Sequence, residues 1–373
     1  MIELFVGSLS ILFLSALAWA FKSLPAERWQ FVASIPLHKH NDGHWIGLNL
    51  TFYGLLTAIS YVVSVAAMIV MAGAVGVGLS VLLPLVAVLL AMIVPSSRWM
   101  AQLIEGKQHT FTVAGAVFVG VLLCPLAVIA TNRIALLFDA GPLPILPLLA
   151  ALAISYAFGE GLGRIACISF GCCYGKPVTR IDHPLARKAF ERLHFVFVGP
   201  TKKIAYESQL DGVPVVPIQA LTATLYVVTA LLAFWLYLHG WFAVSLITAM
   251  GITQLWRVYS ETLRADYRGT SKISVYQILA LATAIISALY AAAFRGSANG
   301  MPNLAHGLDA IWSIGPLLAL QILGLIIFYY TGRSEVTHAS RRPALSGQRQ
   351  KHPIELGHAR SQDRADGVIL RSQ

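Results

Sequence analysis

The sequence predicts an all-α polytopic transmembrane helical bundle of about eight or nine spans, with a small polar head insert. Two observations carry that reading. First, 57% of the 373 residues are hydrophobic and only 12% are charged, with a mean hydropathy of +0.70. Soluble domains carry roughly 25% charged residues, so this chain has about half the charge needed to coat a water-facing surface. Second, the apolar residues run on without interruption, over lengths close to the ~20 residues that cross a bilayer as a helix. A soluble enzyme and a disordered chain are both excluded. Four cysteines are too few for a disulfide framework.

Nine candidate spans follow in order, near 2–21, 46–72, 74–94, 113–130, 143–158, 218–238, 241–256, 273–294 and 311–330. The first could be read as a signal peptide, with Ala16-Leu17-Ala18 as a small-residue site. Its only early charge is Glu3, whereas a signal peptide opens on positive charge, so the expectation is a retained helix. The spans at 143–158 and 241–256 are short. Pro142, Pro144 and Pro147 blur the edge of the former, because proline removes a helical hydrogen bond. Between and beyond the spans, residues 22–45 are mixed, 176–217 form a polar insert, and 331–373 form an arginine- and serine-rich tail expected to be disordered.

The net charge of +10 is more informative by position than as a total. Alternating nine spans across a membrane puts 25 of the 27 Lys and Arg residues on one side, leaving Arg133 and Arg295 on the other. Setting aside Arg98, Arg164 and Arg257 as candidate site residues still leaves 22 against two. Lys and Arg concentrate in cytoplasmic loops, so the insert and the C-terminal tail are expected to be cytoplasmic. Anionic lipid is enough to explain basic flanks beside spans, and no nucleic-acid partner is expected.

Ionisable groups inside apolar spans are the first place to look for chemistry, since each costs about 2.5–3.5 kcal/mol at a helix centre on insertion scales. One cluster runs from Gly159-Glu160-Gly161-Leu162-Gly163-Arg164 to Cys167 and on through Gly171-Cys172-Cys173-Tyr174-Gly175. Its glycines suit a helix that ends and folds back at the membrane surface. Glu160 and Arg164 stand four apart, the favourable order for an ion pair on one helical face. That pair can be purely structural, or Arg164 can clamp a phosphate, which a guanidinium grips through two parallel hydrogen bonds.

A second cluster spans Arg257 to Arg264. Arg257, Glu261 and Arg264 are spaced i, i+4, i+7, which predicts one helical stripe. Such a stripe serves an anionic headgroup or simply snorkels at the interface. Three further positions leave alternatives open. Cys167, Cys172 and Cys173 follow C-x4-C-C, without the second ligand pair that zinc sites favour, so small packing side chains are expected and no metal. His109 is either a base or an interfacial residue. Tyr53 is either a headgroup contact or part of the aromatic belt.

At these clusters the chain resembles the bacterial prolipoprotein diacylglyceryl transferases. The family's G-R-x-G-N-F-x-N-G-E-x-x-G run is matched in register by Gly163-Arg164, Gly171 and Gly175, and its R-x-x-x-E-x-x-R by Arg257, Glu261 and Arg264. Its S-x-x-Q-I-L is matched by Ser274, Gln277, Ile278 and Leu279. Pro217 and Gln219 match part of H-P-x-Q, and Phe52-Tyr53-Gly54-Leu55 stands where the family has W-Y-G-L. The sequence departs from the pattern at Cys167, Phe170 and Cys172, where the family has Asn, Asn and Glu, at Val216, and at Phe111-Thr112-Val113-Ala114, where F-H-G-G loses its histidine.

The resemblance implies a reaction in the plasma membrane. The diacylglyceryl group of phosphatidylglycerol passes to a lipobox cysteine of a preprolipoprotein, or to another nucleophile, with release of sn-glycerol 1-phosphate. It makes Arg164, Arg257, Glu261 and His109 the catalytic candidates. Arg164 and Arg257 would hold the phosphate, and Glu261 would orient them. Tyr53, Arg98, Gly175, Gln219 and Arg264 become substrate-binding candidates. No cofactor and no metal are implied. Residues 46–294 form the family-like core, 1–45 add a leading helix and linker, and 295–330 add a trailing helix. One added leading helix inverts the core, so a related lipid-modifying transferase with a cytoplasmic-face acceptor stays open. So does a non-catalytic protein that binds or transports anionic lipid.

Overall fold

A computed structural model describes residues 1–334 apart from 40–44, 106–112, 136–142, 266–273 and 296–299. The chain begins with helix α1 (Ile2–Ser23), followed by strands β1 (Phe31–Lys39) and β2 (Trp45–Thr51). Helices α2 (Phe52–Ala74), α3 (Leu79–Glu105), α4 (Val113–Ala135) and α5 (Ile145–Phe170) come next. The polar insert holds α6 (Pro184–Arg192) and α7 (Lys203–Ser208), and it pairs β3 (Phe195–Val196) with β4 (Pro214–Val215). Then follow α8 (Ile218–Leu238), α9 (Phe242–Ser260), α10 (Val275–Ala293), α11 (Leu304–Ile311), α12 (Ile314–Gly332) and β5 (Arg333–Ser334). Seven of these helices, α1, α2, α4, α5, α8, α10 and α12, are long and apolar enough to cross a membrane. The chain is a multi-pass helical membrane protein.

Each expected span meets a helix, with two shifts that bear on the site. The second span begins at Phe52 rather than 46, because Trp45–Thr51 pairs with β1 as an antiparallel strand. Thr51 then caps α2, its Oγ1 accepting from the Gly54 amide at 3.3 Å and donating to the Gly332 carbonyl at 3.1 Å. The fifth span does not stop near 158. It continues as helix through the glycine run to Phe170, and Gly171 (φ +72°) ends it. The glycines of that run bring helices together, and the turn falls to Gly171. A Cβ on Gly161 would stand 2.9 Å from Tyr226 Cβ and 3.2 Å from the Val227 amide nitrogen, so α8 packs flush on α5. Without a hydrophobic drive between helices in lipid, such close backbone approach supplies the packing.

Helices α5 and α8 form the buried centre, with Leu148, Ala150, Ile154, Ala157, Phe158, Val227, Ala230 and Phe234 in its core. The outer helices turn large apolar side chains outward, for example Leu4 and Ile11 of α1 and Ile322, Leu325 and Ile326 of α12. Those side chains meet lipid rather than water.

Contacts between loops sort the two ends of the bundle. At one end β5 joins β2, Gln30 Nε2 donates to the Thr201 carbonyl at 2.6 Å, and Gly175 bridges Arg264. At the other, the Asn303 amide meets the Ala74 carbonyl at 2.8 Å, and Trp235 Nε1 donates to Glu3 at 2.8 Å. Among the described residues, the first end gathers 24–39, 45–51, the insert, residues 261–265 and the end of α12. Among the described residues, these segments carry 11 of the 17 Lys and Arg residues.

That end is tied by a buried amine. Lys202 is fully buried, and its Nζ donates to the carbonyls of Ser169 at 2.8 Å and Leu24 at 3.2 Å, clasping the ends of α5 and α1. Burial lowers its pKa to about 8, from about 10.4 for a free lysine. Between those values the unfolded chain binds more protons, so stability rises with pH across that window. We expect the stability difference between the native chain and Lys202→Met to grow by about 3 kcal/mol from pH 8 to 10.5. Unfolding in detergent at each pH reads it, and a difference flat across the window would contradict the lowered pKa of this buried amine.

Candidate functional site

The site is built where α5, α8 and α9 meet near the basic end. Glu160 and Arg164 form their i,i+4 ion pair on α5, with both side chains mostly buried. Arg257, from the last turn of α9, brings Nη1 to 4.0 Å from the same Glu160 oxygen. One carboxylate thus stands between two guanidinium groups. A chain of hydroxyls backs it. Arg257 Nη1 donates to Tyr156 Oη at 3.4 Å, Gln254 Nε2 donates to the same oxygen at 3.2 Å, and Tyr226 Oη donates to the Thr253 carbonyl at 3.1 Å. The Nε atoms of Arg164 and Arg257 are buried, and neither has a hydrogen-bond partner among the described residues. An unmade bond to a buried charged donor costs about 1–3 kcal/mol or more, so two donors are kept ready for an acceptor.

These groups border a narrow polar cleft of about 10 Å³, lined by Arg164, Cys173, Gln219, Arg257, Glu261 and Arg264 among others. A second cavity of about 230 Å³, almost wholly apolar, opens between α3, α4, α5, α9 and α10. Tyr156 lines the apolar cavity and touches the cleft through Arg257, which its hydroxyl binds.

Backbone pairing fixes the outer wall of the cleft. The Lys176 amide donates to the Leu263 carbonyl at 2.9 Å, the Ala265 amide to Tyr174 at 3.1 Å, and the Val216 amide to Lys176 at 2.9 Å. Gly175 sits where these three segments cross. A Cβ there would collide with the Val216 carbonyl, so the glycine serves close backbone approach. Cys173 reaches the cleft from a left-handed backbone (φ +53°). Hydrogen bonds from Cys167 and Cys172, helped by the Arg264 and Arg164 guanidiniums, hold its thiol well below the usual range.

Of the residues singled out by sequence, Arg164, Arg257, Glu261, Arg264 and Gln219 all line this cleft. Gln219 Nε2 also donates to the Cys172 carbonyl at 2.9 Å. The expected stripe is broken, however. Helix α9 ends at Ser260, Glu261–Leu263 form a 3-10 turn, and Arg264 is extended. The turn wins because Arg264 must pair with Gly175 in a bridge. Glu160, rather than Glu261, supplies the carboxylate seen between Arg164 and Arg257. Tyr53 is not among the residues lining the cleft, and its ring packs on Phe170 with centroids 5.5 Å apart. His109 lies outside the described residues, as does the side chain of Arg98. Sequence reasoning missed Tyr156, Tyr226 and Gln254, polar groups within apolar helices whose period alone could have flagged them.

Removing the shared charge should cost more than either pair alone. We expect Glu160→Gln to destabilise the chain by about 3–5 kcal/mol, because two buried guanidiniums lose their counter-charge. A fall in the thermal midpoint in detergent is the measure, and an unchanged midpoint would show that the carboxylate is dispensable.

A family profile described as prolipoprotein diacylglyceryl transferase matches residues 44–293, which include every element of the cleft. No match was found among curated proteins or among solved structures. Residues 44–293 are about two thirds of the chain, and the protein therefore belongs to the prolipoprotein diacylglyceryl transferase family.

Proposed function

We propose that the chain transfers the diacylglyceryl group of phosphatidylglycerol to a thiol and releases sn-glycerol 1-phosphate. The lipobox cysteine of a preprolipoprotein is the leading acceptor. The observation that carries this reading is the pair of buried Nε donors, unpartnered among the described residues, on Arg164 and Arg257, two residues that line one polar cleft. In the reaction, the acceptor thiol gives its proton to water, and its sulfur forms a bond to the glyceryl carbon while that carbon's bond to the phosphate oxygen breaks. The leaving phosphate takes the electron pair, and its charge grows from one negative unit toward two. Guanidiniums placed for the larger charge stabilise the transition state more than the bound lipid, which is what accelerates a reaction. The apolar cavity beside Tyr156 offers an acyl chain a place next to that headgroup.

A second reading is favoured by the charge distribution. The cleft lies at the end of the bundle that gathers the basic segments, and the positive-inside rule assigns such an end to the cytoplasm. A transferase whose acceptor reaches it from the cytoplasmic face fits that placement. Reporters fused within residues 180–210 and after Gln373 separate the two readings. Extracytoplasmic signal from both would restore the secreted acceptor.

Catalysis itself is tested with membranes supplied with phosphatidylglycerol labelled in its headgroup glycerol. We expect Arg164→Lys and Arg257→Lys each to lower glycerol phosphate release a hundredfold or more, since an ammonium lacks the paired fork. Native-like release by both variants would end the phosphate-clamp reading.

A further inference from the structure

The proposed reaction uses guanidiniums and a carboxylate and leaves three thiols without a role. Cys167 stands in the last turn of α5. The amides of Gly171 and Cys172 both donate to its carbonyl, at 2.8 and 3.1 Å, so the chain folds back over the helix end. As a result the Sγ atoms of Cys167, Cys172 and Cys173 all lie within 4.8 Å of one another. Thiolates around tetrahedral zinc, with Zn–S near 2.3 Å, sit about 3.8 Å apart. Rotamer adjustment of an ångström or less closes the observed cluster onto that geometry.

Three further features favour a cation. All three thiols are half-buried, neither sealed in the core nor open to bulk water. They crowd the C-terminus of a 26-residue helix, where the helix dipole favours positive charge. Cys173 also accepts a left-handed backbone (φ +53°), at roughly 1–2 kcal/mol for a side chain that glycine would spare. Such strain is kept where a side chain has a task. By contrast Cys124, on α4, is buried among apolar residues.

We propose that Cys167, Cys172 and Cys173 form a three-thiolate site for one thiophilic divalent ion of the zinc class at the rim of the arginine cleft. Binding forms three metal–sulfur bonds, each thiol still protonated gives its S–H proton to solvent, and no oxidation state changes. Among the described residues no other histidine, cysteine or carboxylate joins the cluster, so the fourth position is open. An incoming thiol taking that position would be held deprotonated beside the arginines. That last clause rests on the transferase reading, whereas the ion site does not.

The experiment uses the full chain, purified under reducing conditions in detergent and titrated with zinc and with cobalt(II). We expect one ion per chain and sulfur-to-cobalt charge-transfer absorbance. Affinity should fall at least a hundredfold in Cys167→Ser, Cys172→Ser or Cys173→Ser, and stay native in Cys124→Ser. Fewer than about 0.1 zinc per native chain would overturn the site whatever the variants do, and that figure is simply a tenth of the expected occupancy. So would a disulfide within the cluster, or equal loss of affinity in Cys124→Ser. An ion that binds as expected in a chain releasing no glycerol phosphate leaves the site standing and removes only the transferase reading.

Discussion

Everything at the basic end of this bundle is arranged around one carboxylate. Glu160 lies inside a membrane helix and is held by Arg164 on its own helix and Arg257 on another. A lone charge there would cost several kcal/mol, and a lone arginine pair would repel. The triad resolves both problems and couples the helices. Arg257 can reach Glu160 only if α9 lies against α5, and α8 must pack flush on Gly161 for Tyr226 to back the cluster. The polar site is thus the reason that the three most central helices have one register and not another.

The triad also explains why the end of the bundle is so heavily tied. Lys202 clasps α1 to α5, Thr51 joins α2 to the end of α12, and the bridge at Gly175 joins the α5 turn to the segment after α9. Each tie satisfies carbonyls or amides at a helix end, where backbone groups lack partners. Ser274 does the same at the start of α10, with Gln277 completing a capping box, and Gln277 Nε2 then reaches the Val258 carbonyl at 2.9 Å. The family-like Ser-x-x-Gln pattern is therefore a helix start that fastens α10 to α9.

The spans were legible because apolar length and composition fix a membrane helix almost without tertiary context. Arg164 and Arg257 were legible for the converse reason, since charge in the last turns of such a helix demands a partner. Residues 46–51 were misread because a β-ribbon at the interface has the same apolar character as a helix start. The helical stripe at 257–264 failed for another reason. Spacing describes a helix only while the helix lasts, and the bridge to Gly175 comes from a segment almost ninety residues earlier. The convergence of the three thiols was hidden in the same way. C-x4-C-C is a poor ligand pattern on a straight helix, and it becomes a cluster only once Gly171 turns the chain.

The size of the cleft bears on how the proposed reaction can begin. About 10 Å³ is room for roughly one water, and a phosphate is several times larger, so a wall must part. The α5–α8 face is closed by Gly161 against Tyr226, and α8 holds α9 through Ser245 Oγ donating to Ala233 at 2.7 Å and Tyr226 to Thr253 at 3.1 Å. The segment after Ser260 is held to residues 174–176 by backbone bonds rather than by helix packing. It carries Glu261 and Arg264, and on the proposed reaction it is the wall that would have to yield. The two clamp arginines then differ in their duties. Arg164 is tightly paired with Glu160, while Arg257 stands 4.0 Å from it. An entering phosphate competes more easily for the looser partner. On the proposed reaction Arg257 is the group that turns to the lipid, and Arg164 is the fixed end against which it closes.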